Sequence, residues 1–377
     1  MPELPEEIIL DILSRLPVAS LCRFRCVSKP WRSLISHPDF IRAHLTNNKK
    51  REHVVLRDYS DHVDSVDFKS FQFGDESVQP RLKLPTVRPA SYNVIYGSYD
   101  GLLLISPTWS DHEGIGFYLI NPFTREFREV PQTPFQAEQR RPCVNSFGFG
   151  YDSRRDDYKV VCVSHYRHSA DGIVSGYDSR RDDYKVVCVS HYRHSADGIV
   201  SVYALSTNSW KKIDDSPYDY CSRWCGLIGA IVNGALHWCA ETPTSAVIVA
   251  FDLVHEKFRT VPSLDCLDGD LAVLGGCLCA SGKCYLYDDR ADFWVMKEYG
   301  VSDSWTKFTV APSFVPFAYD SFCYPWTPLS LSRTGQVLFQ VDHEKLGLFD
   351  LQEEKFKELV VHGLPTDFEA VTFVESL

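Results

Sequence analysis

Thirteen cysteines and 13 histidines carry most of the potential chemistry of this 377-residue chain. The close groups are Cys221 with Cys225, Cys277 and Cys279 with Cys284, and His237 with Cys239. A structural zinc site gathers four ligands, commonly from paired Cys-x2-Cys units. None of these groups supplies that, so no metal is predicted and the cysteines are read as small buried apolar groups. No Gly-x-Ser-x-Gly elbow and no His-Glu-x-x-His helix occurs. Gly148-Phe149-Gly150 lacks the further glycines of a phosphate-binding loop and reads as an innermost strand. His165, Tyr166, Arg167 and His168, repeated at His191–His194, are read as a solvated loop, with a binding loop as the alternative. The run Arg154-Arg155-Asp156-Asp157 is expected to pair its own charges in a turn. No catalytic residue and no cofactor is predicted.

Charge narrows the partners. The chain carries a net −11, divided unevenly. Residues 1–50 hold 8 Lys/Arg and 5 Asp/Glu, a net of +3, against 31 and 45 in the remainder, a net of −14. An acidic body excludes a general nucleic-acid binder, which needs clustered positive charge to displace phosphate counterions. No apolar run approaches the ~20 residues that span a bilayer, and the acidic start Glu3, Glu6, Glu7 is unlike a secretory signal. A cytoplasmic or nuclear protein with reduced thiols is expected.

The elements that would position any site fall into two textures. Residues 1–45 read as three short helices. Pro5 suits a first helical turn, and Glu6 and Glu7 suit the positive end of its dipole. Ile8, Ile12 and Leu16, flanked by Ile9 and Leu13, form one broad apolar stripe that Pro17 ends. A second helix carries Leu21, Phe24 and Arg25. Ser28 caps a third, which holds Pro30, Trp31, Leu34 and Ile35. His37-Pro38-Asp39-Phe40 breaks the pattern again, with a last helical turn towards Leu45. Such a head cannot bury all of its apolar surface by itself. It is either a cap on the following domain or a docking module.

Leu4-Pro5-x-Glu7, Ile12-Leu13-Ser14-x-Leu16-Pro17, Leu21, Val27-Ser28-Lys29-x-Trp31 and Leu34-Ile35 resemble the F-box motif in order and spacing, across residues 3–40. The resemblance implies binding to an acidic Skp-type adaptor and, through it, to a cullin scaffold. It assigns adaptor contacts, or their direct support, to Leu4, Pro5, Ile9, Leu13, Leu16, Pro17, Leu21, Val27 and Trp31.

After a linker at 46–52, residues 53–377 read as strands between Gly, Asp, Asn, Ser and Pro clusters. One unit recurs: an apolar strand, a polar turn, then an aromatic residue opening the next strand. Its anchors are Phe127, Trp210, Phe258, Trp305 and Phe356, spaced 83, 48, 47 and 51 residues. Three intervals fit a propeller blade of ~40–50 residues. An all-β propeller of six or seven blades is predicted, with the anchors in the core between blades. The long interval has a visible cause. Residues 176–201 repeat residues 150–175 without one change, and removing one 26-residue copy brings 83 to 57. The blade then has two Tyr-Lys-Val-Val strands for one slot, and the surplus is expected to leave the blade within 162–198. Ala370–Val374 alternates as a strand and is expected to close the ring beside His53–Arg57 or Ser91–Ile95.

The strand region also resembles the plant F-box-associated interaction domain, through Tyr99-Asp100-Gly101-Leu102-Leu103, Asn121-Pro122-x-Thr124, Phe147-Gly148-Phe149-Gly150-Tyr151-Asp152 and Val232-Asn233-Gly234-Ala235-Leu236-His237-Trp238. The implied function is a non-catalytic receptor that presents a target protein for ubiquitination and proteasomal degradation. The target and its contact residues are not encoded legibly. The competing reading is a propeller enzyme or small-molecule binder with a helical cap.

Overall fold

The computed structural model describes residues 5–48, 52–58, 62–67, 79–83, 93–107, 117–131, 143–170, 174–178, 183–187, 191–194, 199–213, 218, 228–242, 245–264, 267–282, 290–311, 326–341, 343–359, 361, 366 and 368–377. Four helices open the chain: α1 (Glu6–Ser14), α2 (Val18–Phe24), α3 (Lys29–Ile35) and α4 (Pro38–Asn48). Three were expected. The fourth was hidden by Pro38, which stands at the first helical position, where a missing N–H costs nothing, rather than breaking a helix. Ser28 caps α3 as expected, its Oγ accepting from Trp31 N at 3.3 Å.

The strands form antiparallel sheets in chain order. The first sheet holds β1 (Glu52–Asp58), β2 (His62–Asp67) and β3 (Gln79–Lys83). The second holds β4 (Asn93–Tyr99), β5 (Leu102–Pro107), β6 (Phe117–Asn121) and β7 (Glu126–Val130). The duplicated region supplies β8 (Cys143–Asp152), β9 (Asp157–Ala170), β10 (Val174–Asp178), β11 (Asp183–Val187), β12 (His191–His194), β13 (Ile199–Ala204) and β14 (Ser209–Lys212). A fourth sheet is β15 (Ala230–Val232), β16 (Ala235–Glu241), β17 (Ala246–Asp252) and β18 (Lys257–Val261). A fifth is β19 (Leu267–Leu274), β20 (Cys277–Gly282), β21 (Ala291–Met296) and β22 (Trp305–Val310). A sixth is β23 (Trp326–Leu331), β24 (Gln336–Val341), β25 (Lys345–Asp350) and β26 (Lys355–Leu359). The last strand, β27 (Phe368–Val374), returns to the first sheet and pairs with β1, Val55 opposite Val371, closing the ring as expected.

Among the described residues, five of these sheets are regular four-stranded blades, not the six or seven blades expected. The remaining position in the ring is an irregular five-stranded sheet, β12-β9-β13-β14 with β8 on the other side of β9. The duplication has added β12 to it. Among the described residues the β10–β11 ribbon pairs only with itself. Adjoining sheets share apolar clusters; one joins Val161, Val202, Leu236, Trp238 and Phe251, another Phe293, Phe339 and Phe349. Outer strands carry exposed Arg128, Lys211, Lys257, Lys307 and Lys355, the charges that keep open edges from pairing with other chains.

The recurring polar turn has a common construction. Asn121, Asp152, Asp252 and Asp350 each end a strand, and each Oδ1 accepts the backbone N–H groups two and three residues on. The residue four places on (Arg125, Asp156, Glu256 or Glu354) takes a left-handed φ of 53–60°. This four-residue reversal lets the next strand pair directly. The β13–β14 turn lacks an Asx residue at that point. Its acceptor comes from outside: Ser206 N and Oγ both donate to Asp157.

The aromatic anchors divide. Trp210 packs beside Tyr203 and donates its indole N–H to the Pro131 carbonyl, and Trp305 does the same to Pro262 at 3.2 Å. Phe258 packs on Phe251 and Phe356 on Trp326. Phe127, expected in the core, is 58% exposed. Phe123, in the preceding turn, is the aromatic residue that packs inward there, stacking on Phe373 with ring centroids 5.6 Å apart.

Candidate interaction site

The helical head has a closed core and an apolar exterior. Leu13, Leu21, Ile35 and Phe40 are buried together. Phe24 meets Trp31 edge to face at 5.3 Å, and the ring Nε2 of His44 donates to the Leu16 carbonyl at 2.8 Å, tying α4 to the end of α1. With that core complete, Ile8 and Ile12, one helical turn apart, remain 46% and 49% exposed, and Val27 67% exposed. Pro5 and Pro17 are exposed as well.

The residues assigned from sequence therefore separate. Leu13 and Leu21 are core; Ile9, Leu16 and Trp31 are half-buried against it; Pro5, Pro17 and Val27 face outward. Leu4 lies outside the described residues. Ile8 and Ile12, whose i, i+4 spacing was visible in the sequence, were not among the assigned residues and are exposed. Four residues of the stripe, Ile8, Ile9, Ile12 and Leu13, lie on nine-residue α1 and are wider than one buried face, so part of the stripe must stay outside.

The head is seated on the propeller by the residues that follow β27. The Glu375 carboxylate accepts the backbone N–H of Val18 at 2.7 Å in a buried position. Ser376 O accepts from Asn121 Nδ2 at 3.0 Å, and Leu377 packs against the head core. Gly101, at φ +85°, is required here, because a Cβ would stand 2.2 Å from that of Ser376. Two ion pairs flank the seat: Arg42 with Asp156 at 2.8 Å and Arg25 with Glu126 at 3.8 Å. Hydrogen bonding to Asp156, then burial, pushes the Tyr151 hydroxyl up to about 12. The seat touches the β4–β5, β6–β7 and β8–β9 turns, which by the up-and-down order of the strands lie on one face. The β9–β13 connection, with the duplicated ribbon, leaves from the opposite strand ends.

The charged run at 154–157 does not pair within itself. Arg155 reaches Asp152 at 2.9 Å and Glu256 at 3.4 Å, Asp156 takes Arg42, and Asp157 holds Ser206. Lys159, 2% exposed, bridges Asp152 and Glu256 at 2.8 and 2.7 Å and donates to Leu253 O. Burial alone would raise the Asp152 carboxyl, but the bonds from Lys159 and Arg155 hold it down at about 2. His165–His168, read as a loop, continue strand β9.

Among the described residues no group of side chains could hold a metal ion, and no helix is long and apolar enough to cross a membrane. Of the cysteine groups considered for zinc, Cys221, Cys225 and Cys284 lie outside the described residues. Both ring nitrogens of His237 are engaged, Nδ1–H donating to Ala230 O at 3.0 Å and Nε2 accepting from Tyr299 Oη at 2.7 Å. Tyr299 Oη in turn accepts from Arg259.

Comparison with known proteins agrees with this architecture. Residues 1–43 match the F-box domain family and residues 162–362 the F-box associated beta propeller domain family. F-box protein At3g07870 of Arabidopsis thaliana is 29% identical, covering 100% of this chain and 92% of the relative. F-box protein CPR1 of the same plant is 31% identical, covering 100% and 89%. F-box/kelch-repeat protein At3g23880, also from Arabidopsis thaliana, is 27% identical over 99% and 95%.

Proposed function

Because the chain belongs to the plant F-box proteins that carry an F-box-associated β-propeller domain, we propose that it is the target receptor of a Skp- and cullin-based ubiquitin ligase. The head docks a Skp-type adaptor, the propeller holds a target protein, and ubiquitin transfer is carried out by other subunits. The protein works in the cytoplasm or nucleus. The observation that carries this reading is the exposed set Ile8, Ile12 and Val27, with Pro5 and Pro17, on a head whose own core is already filled. A cap that only closed the propeller would turn such residues towards it.

In this reading Pro5, Ile8, Ile12, Pro17 and Val27 touch the adaptor. Leu13 and Leu21 hold the helices that present them, with Ile9, Leu16 and Trp31 at the boundary. Burying side chains of this kind is worth ~1.5–3 kcal/mol each. The test is capture of the full chain by a purified Skp-type adaptor. Wild type should bind, and Ile8→Glu with Ile12→Glu should lose at least tenfold in affinity while the melting temperature holds. A folded wild-type protein that no Skp-type adaptor retains would refute the proposal.

A further inference from the structure

One sheet of the ring contains a sequence written twice, and the identity of the copies has a topological consequence. The chain can leave the blade at any point in 150–175, omit 26 residues and rejoin, and every blade position is then occupied by the same residue type. Most exit points would interrupt a strand. Two would not, since the unit contains two places where the chain already reverses: the β8–β9 turn at 153–156 and the connection between β9 and β13.

In the structure the surplus leaves at the second place. The first copy builds β9, with Val160, Val161 and Cys162 buried, and the end of the second copy builds β13, with Ser201 opposite Cys162. The surplus forms its own hairpin in the same register as the blade's. Tyr177 faces Tyr184 and Asp178 faces Asp183, as Tyr151 faces Tyr158 and Asp152 faces Asp157. The alternative leaves after Asp152 and rejoins at Ser179. Lys185, Val186, Val187 and Cys188 then take the places of Lys159, Val160, Val161 and Cys162.

The flanks restrict the choice to these two threadings. The inner strand must contain Gly148 and Phe149 in both. A Cβ at Gly148 would lie 2.6 Å from Leu236 Cδ1, and Phe149 is buried. If the stretch before the second copy took this strand, Val174 and Ser175 would stand there instead.

We infer that this blade is bistable, with the second copy able to replace the first in the sheet, and with the surplus moving from the face opposite the helical head to the head's own face. The observed threading is favoured for two reasons. It keeps the Asp152 turn and the Arg42–Asp156 pair. It also lengthens a connection rather than a four-residue turn, and closure entropy depends on the logarithm of the length ratio. The other threading inserts chain where the head is seated. A ligand that prefers one arrangement of head and propeller shifts the balance by its differential affinity. This inference does not depend on the proposed ligase role.

The test uses the full chain with Val161→Asp, Val187→Asp and both. Val161 is fully buried beside Leu236, Trp238 and Phe251, where a lone carboxylate is not tolerated. If the copies exchange, Val161→Asp stays folded by using the second copy and melts clearly above the double variant. The substitution also distinguishes the two copies by mass, so amide exchange should show protection moving from 158–161 to 184–187. If Val161→Asp melts with the double variant, or stays folded with 158–161 still protected, the inference is overturned.

Discussion

The Glu375 side chain accepts the backbone N–H of Val18, joining two residues far apart in sequence at the boundary between helical head and propeller. Val18 opens α2 directly after Pro17, so its N–H has no partner within its own helix. Both residues are buried. Glu375→Ala would leave that donor unsatisfied, which costs ~1–3 kcal/mol. Glu375→Gln keeps an acceptor and should lose less. Hydrogen exchange at the start of α2 reports the effect directly. Equal protection in wild type and Glu375→Ala would show that the contact does not hold the head.

Ring closure gives the second prediction. Strand β27 pairs with β1 along its full length, Glu52 opposite Val374 to Asp58 opposite Phe368. Phe368 and Phe373 lie in the apolar clusters on either side of the first sheet. Removing residues 366–377 opens an inner edge, exposes both clusters and deletes the seat of the head. The truncated chain should lose its cooperative unfolding transition, followed by circular dichroism on heating. An unchanged transition would mean that the ring is stable without its closing strand.

The third prediction concerns acid. Burial, reinforced by the Arg259 charge, pushes the His237 imidazole down to about 4. Its neutral tautomer is fixed by Nδ1–H to Ala230 O and by Tyr299 Oη to Nε2. In the unfolded chain the same ring titrates near ~6.5. The unfolded state therefore binds more protons between these values. The stabilisation is complete above pH ~6.5 and is lost as pH falls towards 4, by about 3 kcal/mol in all. His237→Gln should flatten this slope in denaturant unfolding measured from pH 7 to 4. Asp152 acts lower, between its unfolded value near ~3.9 and about 2, so it leaves the upper window unaffected. A wild-type stability that is level from pH 7 to 4.5 would contradict the account.

Much of this was legible because side-chain pattern dictates burial. The i, i+4 spacing of Ile8 with Ile12 and of Ile9 with Leu13 marks helix α1, and the alternation at Ala370–Val374 marks the closing strand. What was hidden depended on contacts between distant residues. Pro38 can end one helix or begin another, and only packing of Phe40 and His44 against the head decides it. Phe127 carries the same local signature as Trp210. Yet Phe127 is exposed, and it is Phe123, in the turn before it, that stacks on Phe373. The two copies looked equal because they are identical. Gly148 and Phe149 stay in the inner strand whichever copy follows, and what favours the first copy in β9 is the Asp152 turn with the Arg42–Asp156 pair, a contact between distant residues.

The last prediction removes the surplus itself. Deleting residues 176–201 joins Ser175 directly to Val202, and the blade sequence from β8 to β14 is then continuous with no position changed. The first copy keeps its buried Lys159, Val160 and Val161, and its own residues 173–175 supply the start of β13. What disappears is the β10–β11 ribbon, which among the described residues pairs with no other strand, and β12, which pairs with β9 from Arg167 to Ala170. The β9–β13 connection shortens severalfold. Closure entropy recovers ~0.6 kcal/mol for each halving of loop length, so a gain of about 1 kcal/mol is expected. The shortened protein should fold, melt slightly higher and keep any adaptor binding of the full chain. If the deletion unfolds the domain, both copies are structural, and the assignment of β9 and β13 to one blade is wrong.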